Sequence, residues 1–138
     1  MTTDPSIKRA ATAALCAAIM TVVVIPAGCS RPEPPALGDV EGRVTLDGRP
    51  LPAALVLFTP AGRGRTSQGV TDGDGRYRLR YLRDIPGANV DEHVVRISTA
   101  TEENAGRERL PPRYHARTHL KALVKAGRNA IDFDLSSR

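Results

Sequence analysis

Apolar residues follow two patterns along the chain: one continuous run near the N-terminus, and short alternating stretches after it. Residues 10–27 carry no charged side chain and are dominated by Ala, Val, Ile and Leu, directly after the basic pair Lys8 and Arg9. From residue 40 onward, apolar and polar residues alternate, which is the period of a half-buried β-strand. The pattern predicts an N-terminal targeting segment followed by a β-rich domain.

The alternating stretches predict about seven short strands and no helix after the N-terminal segment. The strands cover residues 40–46, 54–59, 66–71, 76–82, 93–98, 120–125 and 128–135, with 66–71 near a sheet edge. Turn signals at Asp47-Gly48 and at the DGDG run of residues 72–75 separate them, and the polar residues 101–117 are expected to form a long surface excursion. This spacing favours an all-β fold, an antiparallel β-sandwich of about seven strands preceded by an N-terminal signal helix.

Alternation also predicts which face of each strand is buried. Ile131, Phe133 and Leu135 are expected to face inward, as are Tyr77, Leu79 and Tyr81, which alternate with arginines, and His93, Val95 and Ile97. In residues 54–59, Ala54, Val56 and Phe58 share one face and Leu55 and Leu57 the other, and both faces are apolar.

The N-terminal segment has the three parts of a secretory signal: a basic start, an apolar centre, and the small residues Ala27 and Gly28 before a break. An apolar run of about 18 residues is also just long enough to span a membrane as a helix. Pro26 and Gly28 would interrupt such a helix near its end. An uncleaved anchor and a released, secreted protein therefore stay open as alternatives.

Ala27, Gly28 and Cys29, followed by a Pro-rich stretch, resemble the lipobox of bacterial lipoproteins. The resemblance implies cleavage between Gly28 and Cys29 and lipidation of the Cys29 thiol, with palmitate among the acyl chains. Pro26 stands where the family usually has Leu. Two acyl chains on one residue give stable membrane anchoring. Ser30 follows the Cys in place of the Asp of the family's inner-membrane signal, so the resemblance favours the outer membrane.

The chain accordingly divides into a signal peptide (1–28), a Pro-rich tether (29–38) and a β-sandwich domain (39–138). Three prolines in SRPEPPALG, residues 30–38, favour an extended spacer. Cys16 lies in the signal peptide, so Cys29 would be the one remaining cysteine and no intrachain disulfide is expected.

Charge and composition exclude one class of function. The chain has 20 basic and 15 acidic residues, a net charge of +5, and 4% aromatic residues. The basic residues, mostly Arg, are scattered along the sequence without aromatic neighbours, whereas a nucleic-acid surface would concentrate them. No nucleic-acid partner is expected.

Candidate chemistry is sparse. The DGDG run invites a calcium site, but Arg76, Arg78 and Arg80 follow where further acidic ligands would be needed, and a structural turn is favoured. His115 and His119 are four positions apart, a zinc spacing on a helix, but Pro111 and Pro112 precede them and no third ligand supports them. No catalytic residue, metal or cofactor is predicted, and His93 is expected to be a buried or half-buried histidine with a hydrogen-bond partner.

Three stretches together resemble the carboxypeptidase regulatory-like domain, a small transthyretin-like sandwich found in bacterial surface lipoproteins. They are VEGRVTLDGRPLPAALVLFTP (40–60), GVTDGDGRYRL (69–79) and GANVDEHVVRIS (87–98), and the similarity extends through LPPRYH to KAGRNAIDFDL. By resemblance, the framework residues are Gly42, Val44, Gly48, Pro50, Val56, Phe58, Thr71, Asp72, Gly75, Tyr77, Leu79, Val95, Ile97 and Phe133. The family has no catalytic residues in this domain, which implies a binding, stabilising or spacing module.

These observations predict a lipid-anchored, non-enzymatic β-sandwich exposed outside the cytoplasmic membrane, in partner binding or cell-envelope assembly. Envelope proteins or polysaccharide are the expected partners, and Arg113, Tyr114 and Arg117 in the 101–117 excursion are the candidate contacts, since Tyr and Arg are favoured at binding hot spots. In the alternative interpretation Tyr114 closes one end of the sandwich. The other function class is a small hydrolase using His93 or His115, although the terminal motif of the transthyretin-like hydrolase is absent.

Overall fold

The computed structural model describes Gly28 and Glu33–Arg138. The predicted signal helix, the lipidation residue Cys29 and the first part of the tether lie outside the described residues. The strands are β1 (Leu37–Leu46), β2 (Arg49–Pro50), β3 (Leu55–Pro60), β4 (Ser67–Val70), β5 (Arg76–Arg78), β6 (Arg80–Leu82), β7 (Ile85–Pro86), β8 (Ala88–Asn89), β9 (Glu92–Ser98), β10 (Lys121–Leu123), β11 (Gly127–Ala130) and β12 (Phe133–Leu135). The helical segments in this part of the chain are two short 3₁₀ turns, Glu102–Asn104 and Pro112–Tyr114.

The first sheet is built around β1, which pairs with five other segments. It is antiparallel to β2, β5 and β8. The C-terminal segments β11 and β12 run parallel to it, with Gly38 opposite Gly127 and Leu46 opposite Leu135. The end of the chain therefore follows the first strand along its length.

The second sheet is antiparallel, in the order β10-β9-β3-β4-β6-β7. Its longest pairing joins β3 to β9, from Leu55 opposite Ser98 to Pro60 opposite His93. The predicted edge position of residues 66–71 is corrected here: β4 lies between β3 and β6, although Gln68 opposite Arg80 is its one pairing with β6.

The hydrophobic core lies between the two sheets. Its buried residues are Val40, Val44, Leu51, Ala54, Val56, Phe58, Tyr77, Leu79, Ala88, Val95, Ile97, Leu110, Ala122, Val124, Phe133 and Leu135. The alternation is reproduced in β3, where Val56 and Phe58 are buried and Leu55 and Leu57 are half-buried. The predicted all-β sandwich and most of the predicted inward faces are thus confirmed.

Residues 76–82 were expected to form one strand, and the structure divides them between the two sheets. β5 pairs with β1, whereas β6 pairs with β4. Leu79 lies at the crossing, where its N–H donates to the Val40 carbonyl (2.9 Å) and its carbonyl accepts from Gly87 N (2.9 Å). The alternation continues through the crossing because Tyr77 and Leu79 both point into the space between the sheets.

The expected final strand, residues 128–135, is also interrupted. β11 and β12 are separated by Ile131 and Asp132, and Ile131 N donates to the Glu41 carbonyl (2.9 Å). Phe133 and Leu135 are buried as predicted, whereas Ile131 is half-buried at the interruption. The described residues form twelve short strands in place of the expected seven, and two of the expected strands are divided where the chain changes the strand with which it pairs.

Candidate functional site

The chain enters the sandwich through an exposed segment before β1. Residues 33–36 are exposed, and the Ala36 carbonyl accepts a hydrogen bond from Val90 N (2.8 Å) immediately before β1 begins. Gly28, next to the predicted lipidation residue, is exposed. No helix in the described part of the chain is long and apolar enough to cross a membrane.

Residues 36–38, 61–65, 89–91 and 123–128 meet where the chain enters, and we call this region the tether end. Asp91 connects two of these loops: its Oδ2 accepts from Gly62 N (3.0 Å) and its carbonyl accepts from Val124 N (3.0 Å). Asn89 Nδ2 donates to the Arg63 carbonyl (3.3 Å). Loops distant in sequence are therefore joined to one another around the start of β1.

The 101–117 excursion is fixed to the end of β9 by one carboxylate. Glu108 Oε1 accepts hydrogen bonds from Thr99 N (3.0 Å), Thr99 Oγ1 (2.8 Å) and Leu110 N (3.0 Å). Glu108 Oε2 accepts from Ser98 Oγ (2.5 Å). The excursion is thus an ordered loop whose path depends on a charged group that is 25% exposed.

Glu108 has an unusually acidic carboxyl group. Partial burial raises its pKa, but the hydrogen bonds from Ser98, Leu110 and Thr99 outweigh that effect and lower the pKa from 4.5 to about 2. His115 Nε2 lies 4.0 Å from Glu108 Oε2 and 3.1 Å from the Leu110 carbonyl oxygen. Glu108 is consequently ionised at neutral pH, when it stabilises the loop.

Two of the three candidate partner contacts hold the C-terminus of the chain. The Arg113 guanidinium lies 4.9 Å from the centre of the Tyr114 ring and donates to the carbonyls of Ser136 (2.6 Å) and Arg138. Tyr114 Oη accepts from Ser136 N (2.9 Å), and the ring packs against the core. This geometry fits the interpretation in which Tyr114 closes one end of the sandwich, and it leaves the exposed Arg117 as the candidate that faces solvent.

The three histidines lie in different environments. His93 is fully buried, packs 5.6 Å from the Phe58 ring centre, and its Nε2 is 2.8 Å from the Asn89 carbonyl oxygen. This confirms the expected buried histidine with a hydrogen-bond partner. His115 and His119 follow the short turn Pro112–Tyr114 and do not share a helix. Among the described residues, no three His, Cys, Asp or Glu side chains are grouped as metal ligands.

The DGDG run forms the predicted turn. Asp72 Oδ1 accepts from Asp74 N (2.9 Å) and Arg76 N (3.0 Å), and Gly75 adopts a φ of +73°. Short polar side chains and glycine favour such a turn because they bond to their own backbone and tolerate left-handed conformations. The carboxylate of Asp72 is used to shape the loop.

A concavity of about 370 Å³ on the first sheet is lined mainly by charged residues around Tyr77, among them Glu41, Arg43 and Asp132. Asp132 Oδ1 accepts from Arg43 N (2.8 Å), and Arg43 Nε donates to the Asp74 carbonyl (3.0 Å). Tyr77 Oη donates to the Ile131 carbonyl (2.6 Å), and burial raises the pKa of its phenol. Arg43, Asp132 and Tyr77 are thus engaged in contacts that hold the first sheet together.

The tether end and the role of Glu108 were both missed in the sequence analysis. Glu108 lies between Arg107 and Arg109 in a polar stretch, and such a stretch is typical of a solvated surface loop. Its hydrogen bonds to residues 98 and 99 form because the excursion folds back on the end of β9. No pattern of neighbouring residues in the sequence indicates this fold-back.

Comparisons with known proteins identify no family. No protein-family model matches the sequence, and no curated protein matches it. Among solved structures, the chain is similar to a DUF3823 family protein from Parabacteroides merdae ATCC 43184, with 15% sequence identity and a TM-score of 0.44. The match covers 73% of this chain and 46% of that one, so the matched part of this chain spans less than half the length of that protein.

Proposed function

We propose that this chain is a lipid-anchored, non-enzymatic β-sandwich module held outside the cytoplasmic membrane, where it takes part in partner binding or cell-envelope assembly. The observation that carries the proposal is the position of Ala27-Gly28-Cys29 between an uncharged apolar run and a Pro-rich tether. This order resembles a bacterial lipoprotein, and the domain resembles the carboxypeptidase regulatory-like sandwich of such proteins.

The described domain suits display on an anchor. Among the residues that the structure describes, every buried core residue lies between Val40 and Leu135. The preceding residues 33–36 are exposed. An attachment at Cys29 would therefore fix the domain to a membrane without disturbing its packing.

A binding role fits the side chains better than catalysis. His93 is buried against Phe58 and bonded to backbone, and His115 lies against the Leu110 carbonyl. A general base needs a path to substrate, and neither histidine has a nucleophilic side chain as hydrogen-bond partner in the described part of the chain.

Intact mass and fractionation of the full-length protein test the anchor. We expect the parent to be extracted from membranes with residues 1–28 removed and acyl chains on Cys29. Cys29→Ser should either be released or retain its leader, because a hydroxyl does not replace the thiol in acylation. Cys16→Ser is the matched control: it should give the mature mass and membrane location of the parent. The proposal is wrong if Cys29→Ser stays with lipid at the same mass as the parent.

The partner-binding part is tested by affinity capture in mild detergent. Loops on a rigid scaffold carry recognition, so a stoichiometric partner should be recovered with the parent and lost with Arg117→Ala. Arg96→Ala, which removes another exposed arginine, from β9, is the control and should retain the partner. Recovery of no stoichiometric partner with the parent would contradict this role.

A further inference from the structure

Four exposed basic side chains surround the point where the chain enters the sandwich. Arg63 and Arg65 lie in the loop after β3, Lys125 follows β10, and Arg128 is in β11. The hydrogen bonds that join residues 61–63, 89–91 and 124 bring these loops together. Gly38, the second residue of β1, lies opposite Gly127. The tether end is therefore basic on several sides of the entry point.

Acidic groups near this end are largely engaged. Asp39 lies opposite Arg128 in the pairing of β1 with β11, but its carboxylate is bound by Arg78 at 2.6 Å. Glu92 is paired with Lys121 at 3.4 Å. Asp91 accepts backbone hydrogen bonds from Gly62 and Glu92. None of the four basic residues forms an ion pair within the described part of the chain. Asp91 and the exposed Glu33 are the acidic residues set against them, so the tether end keeps a positive excess.

The opposite end of the sandwich has no comparable excess. Its turns and the nearby part of the excursion combine both signs: Asp47, Arg49, Asp72, Asp74, Arg76, Glu102, Glu103, Arg107 and Arg109. The positive charge is thus asymmetric along the long axis of β1.

Exposed apolar side chains accompany the basic residues. Val90, whose N–H binds the Ala36 carbonyl, is 39% exposed, and Leu123, at the end of β10, is 59% exposed. Basic side chains around exposed apolar ones are typical of surfaces that rest in the headgroup region of an anionic bilayer.

The length of the tether favours contact of this end with the membrane over contact of the opposite end. Residues 29–36 span at most about 28 Å when fully extended. β1 has 10 residues, or about 33 Å of strand, between the tether end and the far end. A tether of this length also raises the effective concentration of the tether end at the bilayer, so weak attractions suffice.

We infer that the tether end docks on anionic phospholipid headgroups of the membrane that holds the anchor. Arg63, Arg65, Lys125 and Arg128 contact the phosphates, and Val90 and Leu123 enter the headgroup region. This inference rests on the proposed anchoring at Cys29. The far end and the 101–117 excursion then face away from the bilayer.

Site-specific quenching on the intact lipoprotein tests the docking. Acylation blocks Cys29, so Leu123→Cys and Val70→Cys each provide a single free thiol for a fluorophore, at positions of similar exposure (59% and 50%). The proteins are reconstituted in phosphatidylcholine vesicles with or without phosphatidylglycerol, both carrying a spin-labelled lipid quencher. We expect quenching at position 123 but not at position 70, and its loss without phosphatidylglycerol or in about 1 M salt, where the Debye length is about 3 Å.

A charge variant supplies a second measurement. Replacing Arg63, Arg65, Lys125 and Arg128 by Gln should abolish quenching at position 123. The same change at Arg49, Arg76, Arg107 and Arg109, at the far end, should leave it intact. Flotation with the vesicles is recorded in parallel. If the parent does not float, the anchoring proposal fails and docking fails with it. If the parent floats but positions 123 and 70 are quenched equally, the anchoring proposal stands and the docking inference is wrong. The same conclusion follows if quenching at position 123 is the same with and without phosphatidylglycerol.

Discussion

Gly42 has a role that depends on the absence of a side chain. A Cβ at this position would lie 1.8 Å from the Ile131 carbonyl oxygen and 3.0 Å from Tyr77 Cε1. The same carbonyl accepts the hydrogen bond from Tyr77 Oη (2.6 Å). The absence of a side chain at Gly42 thus lets Ile131, between β11 and β12, pack directly on β1, and the hydrogen bond from Tyr77 in β5 holds Ile131 there.

Gly42→Ala should therefore destabilise the domain by about 2–3 kcal/mol, because backbone atoms must move to admit the methyl group. Gly73→Ala is the control: apart from its chain neighbours, no atom of the described residues lies within 4 Å of its added Cβ, and its φ is not positive. That control should stay within about 0.5 kcal/mol of the parent. Urea denaturation of both variants measures the difference, and equal midpoints would contradict this account of the packing.

At the scale of elements, the 101–117 excursion and the end of β9 form one unit. Glu108 binds β9 through Ser98 and Thr99, and Asn104 Nδ2 donates to the carbonyls of Ala53 (3.0 Å) and Thr99 (2.9 Å). Because the loop is held at several points by polar contacts, it can keep its shape without regular secondary structure.

Glu108→Gln keeps the size of the side chain and removes its charge. Hydrogen bonds to a charged group contribute about 1.5–3 kcal/mol each to stability, and partial exposure reduces this, so we expect a loss of about 1–2 kcal/mol in the free energy of unfolding. Glu103→Gln, at an exposed position in the same excursion, should have little effect. Chemical denaturation at pH 7 compares the two, and a similar loss in both would argue against a specific role for Glu108.

The contribution of Glu108 should also depend on pH. Its pKa is about 2 in the folded protein and 4.5 ordinarily, so the folded state favours the ionised form. The stabilisation is complete above about pH 5 and declines as the pH falls from 4.5 towards 2, when the unfolded state binds the proton first. The stability difference between the parent and Glu108→Gln should therefore shrink over this range. A difference that is constant from pH 7 to pH 3 would contradict the assignment.

At the scale of the whole molecule, an aromatic cluster joins the two sheets. The Phe58 ring in β3 lies 6.1 Å from Phe133 in β12, 6.4 Å from Tyr77 in β5 and 5.6 Å from His93 in β9. β5 and β12 belong to the first sheet, β3 and β9 to the second. The sheets should consequently unfold together.

Phe58→Ala should cost about 3–5 kcal/mol because it leaves a cavity between the sheets, a large part of the roughly 5–15 kcal/mol expected for a domain. Leu57→Ala, on the half-buried outer face of the same strand, should cost less. Thermal unfolding followed by circular dichroism and by tyrosine fluorescence should give one shared midpoint for each protein. Separate midpoints for the two probes would indicate that the sheets unfold independently.

The sequence by itself determined which residues are inside and where the chain turns. Val95, Ile97, Phe133 and Leu135 are buried as their alternation predicts, because side chains of an extended strand point to opposite faces. Asp72 and its glycines form the predicted turn because such a turn depends on the conformations of a few adjacent residues.

Only the tertiary structure decided which segments pair and what their loops assemble. The chain passes from one sheet to the other at Leu79, and β11 and β12 run parallel to β1. Gly42 lies close to Ile131, and Glu108 binds the end of β9. Each of these contacts joins residues that are distant in sequence. The basic tether end is assembled in the same way. Its residues carry no common local signal, since their proximity follows from strand pairing and a shared core.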